Sequence, residues 1–243
     1  MVECAGGRYH GRGVQFSKHG SRQRELSVKK VKSPCHRAEI AALESRLLLS
    51  TYDLEDWDTT TQAFVAHGTN QNPIPADYSV DVTANLQGAI DDVPNGNTLE
   101  FPALSYSVGT VGYLQENPLA INNRSNLTIT GNGAILKRTD PGDPLVEDIR
   151  YKRHFAITGT SSNIRFEDVT IYGPNTSPHY DADRAFQHGF LIGGNVDGVT
   201  INNCRITNVY GDGVYTAFGG NVRHVNITNN IIDGTGRQGL AAR

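Results

Sequence analysis

The chain of 243 residues has 37% hydrophobic and 19% charged residues and a formal net charge of −3, which excludes the weakly hydrophobic, highly charged class of disordered proteins for most of its length. No apolar run approaches the ~18 residues needed to span a bilayer. The charge is uneven: residues 1–50 hold 10 Lys/Arg against 4 Asp/Glu (+6), and residues 51–243 hold 12 against 21 (−9). An acidic body repels a phosphate backbone, so nucleic acid is excluded as its partner.

Residues 1–50 are basic, Gly-rich and aperiodic, and are expected to be a disordered leader. Within it, near residues 38–49, "AEIAALESRLLLS" places Ile40, Leu43, Leu47 and Leu48 at the spacing of a short amphipathic helix. The leader lacks the apolar stretch of an ordinary secretory signal. This segment resembles the LEPR-type motif ("LEPRLLLS") of some large exported bacterial proteins, with Ser45 in place of the proline. The resemblance implies export or the cell surface; a short helix with no address is the alternative. Residues 51–78 show no period and read as a linker. The three cysteines, Cys4, Cys35 and Cys204, form neither a disulfide framework nor a metal pattern. Cys204 falls in a core-facing column, where a thiol acts as a small hydrophobe.

Order begins at Ser79, and residues 79–108 read as a cap. "DVTANLQGAIDDVPNGNTLEFP" sets Leu86, Ala89, Ile90 and Val93 on one helical face, with Asp81 or Thr83 to cap the first turn. Pro94-Asn95-Gly96 ends the helix, and a strand containing Leu99 and Phe101 follows. Coils fill residues 109–243. The segments "GVTINNCRITNVYGDGVY" and "HVNITNNIIDGTGRQGLA" repeat with a period of 26 residues, aligning Val199 with Val225, Ile201 with Ile227, Ile206 with Ile232 and Val214 with Leu240. Leu127 and Ile129 point inward in an earlier coil; Ile164, Phe166, Val169 and Ile171 supply the matching columns in the next. Asp168, Asn203 and Asn229 stand at the sharp bend between two short strands, where Asn and Asp tolerate left-handed backbone. Their side chains are expected to bond along the axis between coils about 4.8 Å apart. The pattern predicts an all-β protein, a right-handed parallel β-helix with an N-terminal capping helix. The chain ends at Arg243 as a further strand begins, so the C-terminal end is expected to be open, covered by downstream coils or by an oligomer partner.

The cap, with "DVTANLQGAID" and "PNGNTLEFP", resembles the N-terminal cap of the pectate-lyase-like β-helix superfamily, especially its rhamnogalacturonase/epimerase-like branch. The coils from Leu127 to Leu240 are similar to that superfamily's repeats. The resemblance implies a carbohydrate-active protein whose partner is a polysaccharide, an acidic one included. The fold alone does not choose among lyase, hydrolase, epimerase and non-catalytic surface protein.

The step from Ile171 to Gly189 takes 18 residues, against 7 from Ile206 to Gly213 and 7 from Ile232 to Gly239. The loop "YGPNTSPHYDADRAFQH" therefore carries an insertion, and insertions on one face of a solenoid commonly form its binding face. It holds His179, Asp181, Asp183, Arg184 and His188. In register, His188, Asp212 and Gln238 form one column and Gln187, Gly211 and Arg237 the next, with Tyr215 on the outer side of the following strand. Three readings are open. In uronate lyase chemistry, as the resemblance implies, Arg237 is the base with Asp212 and His188 as the other catalytic candidates, Ca²⁺ is held by Asp181 and Asp183 with Asp212 as a further oxygen ligand, and Tyr215, Arg184 and Gln238 bind substrate. Glycoside hydrolysis needs a set of carboxylates, and "YGDGV" supplies Asp212, but Arg237 and Gln238 occupy the place of the superfamily's Asp pair. The third reading is structural: turn-forming Asp and Gly in a solvated loop. A lyase-like enzyme, a non-catalytic cell-surface or glycan-binding module and an inactive fragment of a longer enzyme all remain as functions.

Overall fold

The computed structural model describes residues 50–109, 119–138, 153–217 and 219–242. Contacts divide the chain after Ser45, and the leader and its helix near 38–49 lie outside the described residues. Three parallel sheets make up the second unit, which is a parallel β-helix. With strands numbered in chain order, the main sheet contains β1 (Thr51–Asp53), β4 (Thr98–Glu100), β7 (Ser125–Thr130), β10 (Thr160–Glu167), β13 (Asn195–Asn202) and β16 (Asn221–Thr228). The second sheet holds β5 (Ser105–Ser107), β8 (Ile135–Lys137), β11 (Thr170–Tyr172), β14 (Arg205–Thr207) and β17 (Ile231–Asp233). The third holds β6 (Leu119–Asn122), β9 (Phe155–Thr158), β12 (Phe190–Ile192), β15 (Val214–Thr216) and β18 (Leu240–Ala241). A chain that visits three sheets in turn, returning in register each time, must stack its coils, so each side-chain column is built from successive turns.

The observed register is the one the repeat dictates. Val199 pairs with Val225, Ile201 with Ile227, Ile206 with Ile232 and Val214 with Leu240. One coil earlier, Ile164, Phe166 and Ile171 pair with Val199, Ile201 and Ile206. Inward columns such as Leu99–Ile129–Phe166–Ile201 are fully buried. At the junction of two sheets Phe155 stacks on Phe190 (5.3 Å between centroids), and Phe166 meets both edge-on at 4.8 Å. Cys204 is buried as expected, and burial lifts its thiol to about 11. Burial declines in the last coil, where Leu240 is 54% exposed.

The bends confirm the reading of Asp168, Asn203 and Asn229, which all adopt φ between 54° and 57°. Their expected amide-to-amide ladder does not form in that column. Asn229 Nδ2 donates to Asn202 Oδ1 (3.0 Å), and inter-coil amide bonds run instead from Asn163 to Asn126 (2.9 Å) and from Asn221 to Asn195 (3.1 Å). A neighbouring amide one position away offers the better donor–acceptor line.

Helix α1 (Thr83–Asp92) buries Leu86, Ala89 and Ile90, and Val93 just beyond it is buried too. Asp81, not Thr83, supplies the start signal: its Oδ1 accepts the Thr83 N–H at 2.8 Å. The segment expected as a linker is folded. Thr51–Asp53 adds β1 to the main sheet beside β4, and β2 (Trp57–Asp58) pairs antiparallel with β3 (Ala63–Phe64). Leu54 and Trp57 are 1% exposed. Strands of two or three residues joined by Asx turns, such as Asp58 Oδ1 accepting from Thr60 and Thr61 N–H, are too short to carry a period.

Candidate functional site

Four strands of the third sheet, β9, β12, β15 and β18, are entered through a three-residue step: Arg153-His154-Phe155, His188-Gly189-Phe190, Asp212-Gly213-Val214 and Gln238-Gly239-Leu240. Backbone bonds lock these steps together: His154 N–H donates to His188 O (3.1 Å), Gly189 N–H to Asp212 O (3.1 Å) and Gly213 N–H to Gln238 O (2.9 Å). The close stacking explains the glycines. A Cβ at Gly189 would lie 2.6 Å from Gly213 O, and one at Gly213 would lie 2.6 Å from Gly239 O. The first residues of the four steps, Arg153, His188, Asp212 and Gln238, therefore share one column.

Asp212 is the hub. It is fully buried, and its Oδ1 accepts the Gln238 N–H at 3.0 Å. Its Oδ2 lies 3.6 Å from Arg237 Nη1. His188, also fully buried, accepts the Asp212 N–H on Nδ1 at 2.9 Å. That bond puts the ring proton on Nε2, so the 3.4 Å approach of Nδ1 to Asp212 Oδ2 is a contact of a neutral ring rather than an ion pair. Burial drives the His188 pKa down to about 3, with the charges of Arg153 and Arg237 adding to the effect. Tyr215, half-buried on the outer side of β15, stacks on the His188 ring at 4.5 Å and 14°.

The inserted loop closes over this hub. Asn175 is fully buried and its Nδ2 donates to His179 O (3.1 Å). Asp181 caps a short 3-10 turn, Ala182–Arg184, by accepting the Asp183 N–H at 2.9 Å. Burial pushes the Asp181 carboxyl up, but its ion pair with Arg184 and the Asp183 N–H outweigh this and leave it below the ordinary range. The Arg184 guanidinium also lies 5.4 Å from the Tyr210 ring. Arg237 Nη1 donates to Ala185 O at 3.2 Å, and its guanidinium lies 5.5 Å from the Phe186 ring.

The structure thus brings together His188, Asp212, Arg237 and Tyr215. Gln238 contributes through its backbone while its side chain is exposed, Arg184 pairs with Asp181 instead, and Asp183 is exposed. The Ca²⁺ set of Asp181, Asp183 and Asp212 does not fit: Asp212 is enclosed, Asp181 is engaged by Arg184, and among the described residues no three His, Cys, Asp or Glu side chains converge on one point.

Sequence reasoning missed a buried basic group on the preceding coil: Arg138 (1% exposed), Arg153 (8%) and His154 (2%). The signal was present in the aligned steps, where "RHF" stands against "HGF", "DGV" and "QGL" and sets His154 in the glycine column. Burial lowers the His154 pKa to about 3, assisted by the Arg138 charge. Two histidines held neutral well below their ordinary pKa of about 6.5 destabilise the fold in acid. Above about pH 6.5 neither state takes up protons there, whereas between about pH 6.5 and 3 the unfolded chain binds protons that the native protein refuses. Urea denaturation should show stability falling with pH through that window, by about 1 kcal/mol per pH unit per histidine at the steepest. His154→Leu should remove about half of that slope.

Over 181 residues the chain is 25% identical to the "Probable endopolygalacturonase A" of Aspergillus parasiticus, an alignment covering 65% of this chain and 48% of that protein. The chain spans about half the length of the curated relative it matches. No family model matches the chain, and no solved structure matches it significantly. Among the described residues no helix is long and apolar enough to cross a membrane.

Proposed function

We propose that the chain is a carbohydrate-active β-helix protein whose ligand is an acidic, pectin-type polysaccharide, bound where Arg237 and Tyr215 flank the His188–Asp212 hub. The observation that carries the reading is Arg237, a guanidinium fixed by Asp212, Ala185 O and Phe186 at the foot of the inserted loop. A planar cation already held in place loses little entropy on meeting a uronate carboxylate and offers it paired donors. Tyr215 supplies an aromatic body and a hydroxyl to the neighbouring sugar. The similarity to a polygalacturonase supports the same ligand class, and that class fits a protein that is exported or at the cell surface.

Binding without turnover has the better support from the geometry. An Arg237 held against Asp212 and donating to Ala185 O is placed to bind a carboxylate rather than to take a proton from carbon. Hydrolysis has less support still. It needs carboxyl groups reachable from the substrate, whereas Asp212 is enclosed and Arg237 and Gln238 fill the next positions.

Calorimetric titration with galacturonate oligomers, alongside absorbance detection of unsaturated uronate ends, tests both forms. Saturable binding is expected, weakened about 10- to 100-fold in Arg237→Ala, the loss of one charged hydrogen-bonding group. Tyr215→Ala, which leaves the Arg237–Asp212 pair intact, should weaken it as well. No binding to a panel of acidic polysaccharides would overturn the reading. Unsaturated ends that vanish in Arg237→Ala would establish the lyase form in place of binding alone.

A further inference from the structure

A cavity lies at the N-terminal end of the solenoid and shares no residue with the site above. Its volume is about 570 Å³, within the range of small-molecule sites. The folded segment before α1 builds one wall with Leu54, Pro73, Ile74 and Pro75, and the first coil builds the other with Pro102, Leu104 and Tyr106. Leu104 is left 42% exposed, so apolar surface continues out of the mouth.

The polar side chains in this wall are Glu55, Asp56, His67 and Asn70, two carboxylates against one imidazole. Asp56 is committed within the protein: its Oδ2 meets His67 Nδ1 at 2.9 Å and its Oδ1 accepts the Gly68 N–H at 3.1 Å. Glu55 is different. Its backbone is engaged, with the N–H donating to Asp53 Oδ1 and the carbonyl accepting from Asn70 Nδ2 (2.7 Å). Its carboxylate is exposed and makes no hydrogen bond or ion pair among the described residues. The charges of Glu55 and Asp53 are both felt at Tyr106, whose phenol is pushed up chiefly by burial and further by those two carboxylates. The cavity therefore combines aliphatic walls, a tyrosine ring and a free carboxylate, in a body that carries −9 over residues 51–243.

We infer that this cavity binds an organic cation with an apolar body, such as an aryl- or alkylammonium ion. The walls of Leu54, Ile74 and Leu104 would cover the hydrocarbon part. The ammonium would face Glu55, with Tyr106, 2% exposed, offering only its edge at the cavity floor, so the carboxylate supplies the attraction and the apolar walls the rest. An anion of the same size would meet the Glu55 carboxylate, while the one imidazole of the wall, His67, is already paired with Asp56, which gives the site its sign selectivity. The inference does not depend on the polysaccharide reading.

The test uses benzyltrimethylammonium as probe and phenylacetate as its anionic counterpart, each titrated into the full chain and followed by amide chemical shifts. The expected result is saturable binding of the cation with shifts at Ile74, Leu104 and Tyr106, and no saturable binding of the anion. Glu55→Gln should weaken the cation about fivefold, the effect of one solvent-facing charge. Leu104→Ala, a change at a partly exposed position, should weaken it through lost apolar contact. Equal affinity for the two probes, shifts confined to other parts of the protein, or unchanged affinity in both variants would overturn the inference.

Discussion

Replacing Phe166 by alanine is expected to cost about 3–5 kcal/mol of stability, the range for deleting a fully buried aromatic side chain. Phe166 is the ring that touches both Phe155 and Phe190, each at 4.8 Å, so its loss opens a cavity spanning two coils and two sheets. Neighbouring columns are anchored by backbone ladders on both sides and collapse only in part, which keeps the cavity term large. Single domains are stable by about 5–15 kcal/mol, so the variant should unfold at markedly lower urea. Ile227→Ala, in the same inward column but in a coil where the side chain is only partly buried, should lose far less. Equal losses at the two positions would mean that the coils do not share the graded core described above.

The second large effect is expected at Asp212. Removing one partner of a buried charge pair leaves the other uncompensated and costs about 3–5 kcal/mol. In Asp212→Ala the Gln238 N–H loses its 3.0 Å acceptor and the Arg237 guanidinium loses its counter-charge in a half-enclosed position. Asp212→Asn keeps an acceptor for Gln238 while removing the charge, so it separates the two contributions and should lose less. Thermal and urea unfolding of both variants checks the order. If Asp212→Ala proved as stable as the parent, the hub would be solvated and the rigid placement of Arg237 would fail with it.

Much of the fold was legible because a β-helix writes its geometry twice. Ile201 and Ile227 occupy equivalent positions, so the 26-residue offset was itself the inter-coil register, and Asn203 with Asn229 marked a bend that demands positive φ. The segment 51–78 was not legible, since pairings such as Trp57 with Phe64 involve strands of two residues. The inter-coil amide bonds were misplaced by one column because Asn202 and Asn203 are adjacent, and sequence cannot say which amide faces the next coil. In the site, the column of His188, Asp212 and Gln238 followed from register alone. Its chemistry did not. The resemblance to superfamily lyases offered Asp181, Asp183 and Asp212 as possible ligands, but only the packing shows Arg184 taking Asp181 and Asp212 fully buried. Arg153 and His154 escaped notice because a basic pair before a strand reads as surface until burial is known.

The crystal structure of the protein in complex with a galacturonate trimer tests the central claim most directly. The expected result is a uronate carboxylate within hydrogen-bonding distance of the Arg237 guanidinium and a sugar against Tyr215, with Asp212 and His188 unmoved beneath them. A trimer bound on another face, or Arg237 turned away from the sugar while the trimer is held by other groups, would contradict it.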